Sequence, residues 1–379
     1  MIVQRFHDWC QSASCAERCY GVAALAAAWA EGRIPPDERN HLEAAFSLIL
    51  DDPSPKVRHV LAEAVAGSRA APRIVVRALC DDVDEVACVV AARSPLLSDA
   101  DLVDLAAAGS TRLQETIAGR AFLPPRVAAA LAEVGCRTAC LTLLANREAA
   151  IAPITFRRLA ERFGEDGGIR AALIDRDDLP VWVRQSLVRQ LATALSTMPL
   201  ARNLLGSERT GAVTQAACER ATVQLAESAS GADIPALVEH LRLSGELSAA
   251  FLIRAVCRGN VDLFAAALTS LSGRSERRVR AIVVDGRRAA FTSLLVGCGL
   301  PADLAPLLRS AVQIWKKTVV SRTLGTSDAV PLEVMRQIEE AFAASAESSS
   351  EELASLLRRL TREAADDAVR FRARRLLAA

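Results

Sequence analysis

Four arginines, Arg93, Arg120, Arg147 and Arg176, stand 27, 27 and 29 residues apart, each closing a similar run: VACVVAAR, LQETIAGR, CLTLLANR and IRAALIDR. Seven residues before each arginine comes Val86, Leu113, Cys140 or Ile169. Three before it comes Val90, Ile117, Leu144 or Leu173, and two before it Ala91, Ala118, Ala145 or Ile174. A period of this length, carrying the same short amphipathic helix each time, is the signature of a stacked helical repeat. One helix pair of this size cannot bury its apolar face alone; stacking neighbouring pairs makes a continuous core and leaves side-chain variation on the outer faces.

The composition agrees. Hydrophobic residues make up 51% of the 379 residues but aromatics only 4%. Alanine and leucine therefore supply the apolar mass, which favours closely packed helices over β-structure. Charge is balanced, with 46 basic and 45 acidic residues. That argues against a dedicated polyanion binder, although a local basic stripe can sit inside a neutral total. The opening MIVQRFHDWC lacks a basic region leading into an apolar core, and stretches such as VAALAAAWA are too short to span a bilayer. The expectation is a cytoplasmic protein without integral membrane association. The ten cysteines contain no Cys-x2-Cys pair and the four histidines, His7, His41, His59 and His240, are scattered. No metal or cofactor site is expected, and the cysteines read as small buried hydrophobes.

Along the chain, residues 1–50 read as N-terminal capping helices, split by the Gly/Pro-rich GRIPPDER. Residues 51–198 read as HEAT-like repeats. In LDDPSPKVRHVLAEAVAGS, Ser54 and Pro55 mark a helix start and Gly67 its stop. A helix starts near Pro72, and Ser98 with Asp101 resembles a capping box. Repeats then run over 111–133, 136–163 and 168–195. The pattern breaks over 196–211. Residues 199–320 read as a second region of short helices, continuous with the solenoid or docked on it, in which the IVV run of RAIVVDG is helical rather than a strand. Residues 321–379 read as a loose linker, SRTLGTSDAVP, and two helices split by SAESSSEE. The basic RFRARRLLAA at the end suits a docking helix or a closing cap for the second region better than a membrane anchor.

The runs LDDPSPKVRHVLAEA, AARSPLLSDADLVDL, ETIAGRAFLPPRVAAAL and IDRDDLPVWVRQSLV, with LSAAFLIRAVCRGNVDLFAAALTSLSG further on, resemble a bacterial family common in alphaproteobacteria, domain of unknown function 2336. The resemblance covers roughly residues 20–315. It implies an all-α, HEAT-like α-solenoid of stacked antiparallel helix pairs, and it brings no catalytic residue set.

Two groups of arginines are the candidate binding residues. Arg93, Arg120, Arg147 and Arg176 can scaffold neighbouring repeats, capping carbonyls and pairing with nearby aspartates, or line one face for phosphates or an acidic peptide. Arg274, Arg277, Arg278 and Arg280, in GRSERRVRAIVVDGRR, belong to a stretch with a local excess of four positive charges, readable as a solvated face or as a phosphate contact. No nucleophile elbow, phosphate loop or H-E-x-x-H pair occurs. The doublets Asp51-Asp52 and Asp81-Asp82 recur in turns ahead of helices, where they serve backbone N–H groups rather than acid catalysis. These observations favour a non-enzymatic scaffold or adaptor binding a protein partner on a curved helical surface, with nucleic-acid binding through a basic groove as the alternative.

Overall fold

The computed structural model describes residues 8–30, 36–285, 287–321, 330–343 and 351–378. Among them there is no strand, and stacked helices account for the fold. Residues 322–329 of the linker expected at 321–331, residues 345–350 of the break expected at 345–352 and residues 32–35 of the turn expected at 32–39 lie outside the described residues; the remaining residues of all three segments are helical. The chain forms two compact units, residues 1–179 and 180–379.

In the first unit, consecutive helices alternate between two layers. One layer holds α1 (Cys15–Ala30), α3 (Pro55–Val65), α5 (Asp84–Arg93), α7 (Thr111–Ala118), α9 (Arg137–Ala145) and α11 (Gly167–Ile174). Each packs on the next along that series. The second layer holds α2 (Pro36–Leu50), α4 (Arg73–Cys80), α6 (Asp99–Ala108), α8 (Pro125–Val134) and α10 (Pro153–Phe163), with α2 on α4, α6 on α8 and α8 on α10. The −7 and −3 positions read from the sequence form the core between layers, whereas the −2 position does so only in part: Ala91 and Ala118 are buried but Ala145 and Ile174 are exposed, because two residues before the repeat arginine the helix face turns toward solvent. Val86, Leu113, Cys140 and Ile169 are buried, as are Val90, Ile117, Leu144 and Leu173. Each fully buried aliphatic side chain contributes about 1.5–3 kcal/mol, so the −7 and −3 positions hold the stack together. In this layer α1 packs on α3, and Trp29 meets the buried Phe46 of α2 edge-on at 5.7 Å between ring centroids.

Helix starts follow local chemistry. The Ser98 hydroxyl accepts from Asp101 N–H at 3.2 Å while Asp101 accepts from Ser98 N–H at 2.9 Å, a complete capping box on α6. Prolines occupy the first turns of α3, α8 and α10, where no amide hydrogen is needed. Ser54 holds the N-cap position of α3, but its side chain makes no cap bond, and its own N–H is taken by Asp52 at 2.8 Å.

The second unit comprises α12 (Val181–Thr197), α13 (Pro199–Leu205), α14 (Ser207–Ser228), α15 (Ile234–Leu243), α16 (Ala249–Cys257), α17 (Val261–Ser272), α18 (Glu276–Asp285), α19 (Arg288–Gly297), α20 (Ala305–Ser321), α21 (Val330–Ala343) and α22 (Glu351–Ala378). The division lies at 179/180, and α12, the helix read as closing the fifth repeat, runs against α14 within this unit. The segment 196–211 holds the short α13. The IVV run lies inside α18, with Val283 buried. Helices α21 and α22 belong to the core of the unit: Ile338 and Leu357 are buried with Phe251, Phe264 and Phe291. One tight turn decides the geometry at its centre. Gly259, between α16 and α17, has φ +87° and a Cβ there would sit 3.0 Å from the Trp315 ring, whose Nε1 donates to the Cys257 carbonyl at 3.3 Å. Only glycine meets both demands.

Candidate functional site

The arginine ladder resolves into two kinds of contact. Helix α5 ends with free carbonyls, and Arg120 from the next pair supplies the donors: Nη1 to Ala91 O and Nη2 to Ser94 O at 2.9 Å. One repeat on, Asn146 does the same for α7, its Nδ2 donating to Ala118 O at 2.9 Å and Arg120 O at 2.7 Å. Another repeat on, Arg176 covers the end of α9. Its Nη1 donates to Asn146 O at 2.8 Å and Leu144 O at 3.2 Å, and its Nη2 to Ala149 O at 3.4 Å. Arg176 is only 3% exposed, lies over the Phe156 ring and grips Asp178 through both Nε and Nη2, at 2.7 and 2.8 Å. In the second layer Arg162 caps α8 in the same manner, on Ala132 O and Gly135 O. Arg120 has no carboxylate partner among the described residues, and burial lowers its pKa from the usual arginine value.

Arg93 and Arg147 differ. Each is about half exposed and pairs with a carboxylate, Arg93 with Glu63 of α3 and Arg147 with Asp175, whose carbonyl it also reaches at 3.1 Å. Asp52 and Asp82, read as helix-start acids, are chiefly the acceptors of arginines from the preceding helix of their layer, and Asp166 takes the same part. Arg18 holds Asp52 through two bonds of 2.7 and 3.1 Å; Arg58 holds Asp82 at 2.6 and 2.7 Å; Arg137 holds Asp166 at 2.6 and 3.1 Å. Asp82 keeps a backbone role as well, accepting from Val83 N–H at 2.7 Å. The Arg137 guanidinium and the Ile169 N–H hold the Asp166 carboxyl down to about 2. All four ladder arginines therefore bond to neighbouring turns or repeats.

On α18 the second candidate group splits. Arg280 is bound to Glu276 at 2.8 Å and Asp262 at 2.6 Å. Arg277 and Arg278 are exposed, Arg274 half-buried, and none of the three has an acidic partner among the described residues. Beside them a cavity of about 350 Å³ is lined by Ile234, Val238, Glu239, Asp262, Glu276 and Arg280 among others.

Sequence reading missed two buried polar clusters in this unit. Arg254 of α16, fully buried, pairs with Glu363 of α22 and lies 3.6 Å from Glu219 of α14. Arg220 reaches the same Glu363 at 3.1 Å, and one turn along, Arg258 joins Asp367 at 2.8 Å and Glu227 at 3.2 Å. This network fastens the final helix to the unit. The second cluster centres on buried Gln185 of α12, which donates to Glu246 and accepts at 2.9 Å from His240 Nε2. The carboxylate fixes the amide orientation, so the imidazole Nε2 carries the proton. Arg189 stands 3.2 Å from Glu246, and the His240 ring packs on Trp182. Burial raises the Glu246 pKa against the opposing pull of Arg189 and Gln185.

The chemistry available at these places is structural. The ten cysteines are free thiols; Cys80, Cys140, Cys218 and Cys257 are buried, and the other six are partly exposed. Burial pushes the Cys80 and Cys257 thiols up to about 12 and Cys140 up to about 11, which leaves no thiolate nucleophile at these three. Among the described residues no group of three His, Cys, Asp or Glu could hold a metal ion, and no helix is long and apolar enough to cross a membrane. The model of one family, described as an uncharacterised protein conserved in bacteria (DUF2336), matches residues 86–335. The chain belongs to the DUF2336 family. The match is offset from the 20–315 span of the sequence resemblance: it begins within α5 and ends within α21. The DUF2336 segment thus holds the four ladder arginines and Arg254, whereas Glu363 and Asp367 lie beyond it. No curated protein and no solved structure matches the chain.

Two outcomes follow from these contacts. Arg176→Ala leaves three carbonyls at the end of α9 without their donors, and unsatisfied buried groups cost about 1–3 kcal/mol each. It is expected to lower the urea-unfolding stability of the first unit by at least about 3 kcal/mol, while Arg93→Ala, removing a half-exposed pair, lowers it by less than about 1 kcal/mol. Equal losses would contradict the assignment. In the second unit, the raised folded pKa of Glu246 means its protonated form is the better tolerated one. Stability from this group is full below the unfolded value and falls as pH rises through the folded value. Glu246→Gln should match the wild type in acid and gain stability relative to it toward neutral pH, read as the unfolding midpoint across a pH series. A gain confined to acid would reverse the sign.

Proposed function

We propose that this protein is a non-enzymatic helical scaffold or adaptor, and that the edge of its stacked helix pairs engages a protein partner. One observation carries the reading. Phe122, in the turn before α8, is 80% exposed and has φ 53°, a backbone conformation that is strained for a bulky side chain. Its neighbours are pinned: Arg120 is bonded to Ala91 O and Ser94 O, Leu123 is buried, and Leu123 O accepts from Ala150 N–H at 3.1 Å. The fold thus holds an aromatic ring outward at an expense of about 1–3 kcal/mol. Aromatic side chains, Phe among them, are enriched at protein interfaces relative to the rest of the surface. Ile74 in the first turn of α4 and Ile154 in the first turn of α10 are also exposed, at the corresponding starts of second-layer helices. The reading is non-enzymatic because the ladder arginines and the turn aspartates Asp52, Asp82 and Asp166 bond between repeats, and burial raises the pKa of Cys80, Cys140, Cys218 and Cys257.

The test is affinity capture from bacterial extract on immobilised wild-type chain, Phe122→Ala and Phe122→Gly, quantified by mass spectrometry. The expected result is a saturable protein on the wild type that both variants lose, with Phe122→Gly as stable as the wild type or up to about 1 kcal/mol more so, since glycine accepts the positive φ. Undiminished capture by both variants, or no saturable protein, contradicts the reading. Arg274, Arg277 and Arg278, which have no acidic partner among the described residues, favour nucleic-acid binding as a second reading. Duplex DNA or RNA binding that falls with salt and with Arg277→Ala/Arg278→Ala would support it, and negligible binding at low salt removes it.

A further inference from the structure

The tip of the α12–α14 hairpin gathers most of the exposed large hydrophobic side chains among the described residues of the second unit. Leu191 and Leu195 on α12, Met198 at the turn, Leu200, Leu204 and Leu205 on α13, and Val213 on α14 are all exposed. The three helices pack on one another, so these side chains belong to one place in the fold. Helix α13 has no buried residue, and Leu200 and Leu204 are 66% and 74% exposed. Seven residues make too short a helix to persist in water by propensity alone. Between Leu187 of α12 and Cys218 of α14 no hydrophobic residue is buried.

We propose that this tip is a homodimer interface, its occupant the same tip of a second copy. Area and charge both point there. Seven apolar side chains, 44% to 74% exposed, present on the order of 500 Å². That approaches the roughly 800 Å² that each partner contributes to a standard stable interface, and neighbouring small residues such as Ala194 and Ala212 supply more of the contact. The only charged residues over 190–214 are Arg202, Glu208 and Arg209. A tip so nearly neutral neither repels its own copy nor suits a strongly charged partner. Under two-fold symmetry each copy brings one carboxylate, Glu208, and two arginines, Arg202 and Arg209, to the contact, so opposite charges are available for pairing across it. Two antiparallel helix pairs joined in this way form a four-helix arrangement with leucines inside, a packing that helical hairpins adopt readily. This surface is separate from the Phe122 edge, and the two assignments stand or fall independently.

Sedimentation equilibrium of the full chain from nanomolar to high micromolar concentration tests the proposal. The wild type is expected to pass from one to two chain masses, and Leu200→Ser/Leu204→Ser to raise the dissociation constant at least about tenfold, with circular dichroism and urea midpoint unchanged. Phe122→Ser serves as a control that should leave the dimer intact. Glu208→Arg supplies a second route that does not depend on the leucines: it makes every charge on the tip positive, and should weaken the dimer at low salt and recover as salt is added. A wild type that stays at one chain mass throughout overturns the proposal, whether the tip is covered by another protein or by the rest of its own chain. A dimer that both variants leave unaltered overturns it equally.

Discussion

Every short helix in the first unit ends with carbonyls that its own hydrogen-bond ladder cannot satisfy, and the stack buries those ends where water is scarce. The structure depends on the solution to that problem. The donor comes from the next repeat: Arg120 to the end of α5, Asn146 to the end of α7, Arg176 to the end of α9. Because each donor sits near the C-terminus of its own helix, capping one end positions the next. The chain of caps therefore sets the register between repeats, while the −7 and −3 apolar positions supply most of the cohesive energy. Hydrophobic packing is tolerant of small slips between helices; a guanidinium holding two or three carbonyls is not.

The second unit meets a similar demand by different means. Arg254 is a fully buried cation inside a helix, with Glu363 and Glu219 as partners drawn from α22 and α14. Burying such a network earns little net stability, but removing one partner strands a charge in a low-dielectric interior. Its effect is on specificity: α22 can dock in few ways that place Glu363 against Arg254 and Asp367 against Arg258. Both units thus use arginine to fix arrangement and alanine, valine and leucine to supply cohesion.

Much of the helical layout is legible in the sequence because it is local and periodic. The capping box at Ser98, the prolines at helix starts and the buried −7 and −3 positions all follow from spacings within a dozen residues. The partners of the ladder arginines are another matter. Arg93 turns back about a repeat to Glu63, Arg147 turns forward to Asp175, and in one repeat Asn146 replaces arginine as the cap. Side-chain length lets an arginine at one helix position choose among several neighbours, and period alone does not determine the choice. Arg254 and Glu363 lie 109 residues apart in unrelated contexts, so no local signal links them. The same holds for Gln185 and Glu246, 61 residues apart. Phe122 carries no sequence sign of its positive φ, which arises from the pinning of residues on either side.

The central claim is that Arg176 and the half-buried Arg120 are repeat caps and not a ligand-ready row of cations. Arginine-selective chemical modification of the native full-length chain, followed residue by residue with mass spectrometry, tests it most directly. The account predicts that Arg176 reacts only under denaturing conditions, that Arg120, half-buried and held on two carbonyls, reacts more slowly than Arg93 and Arg147, and that Arg277 and Arg278 react fastest. Ladder arginines that all react in the native state as fast as Arg277 would contradict it.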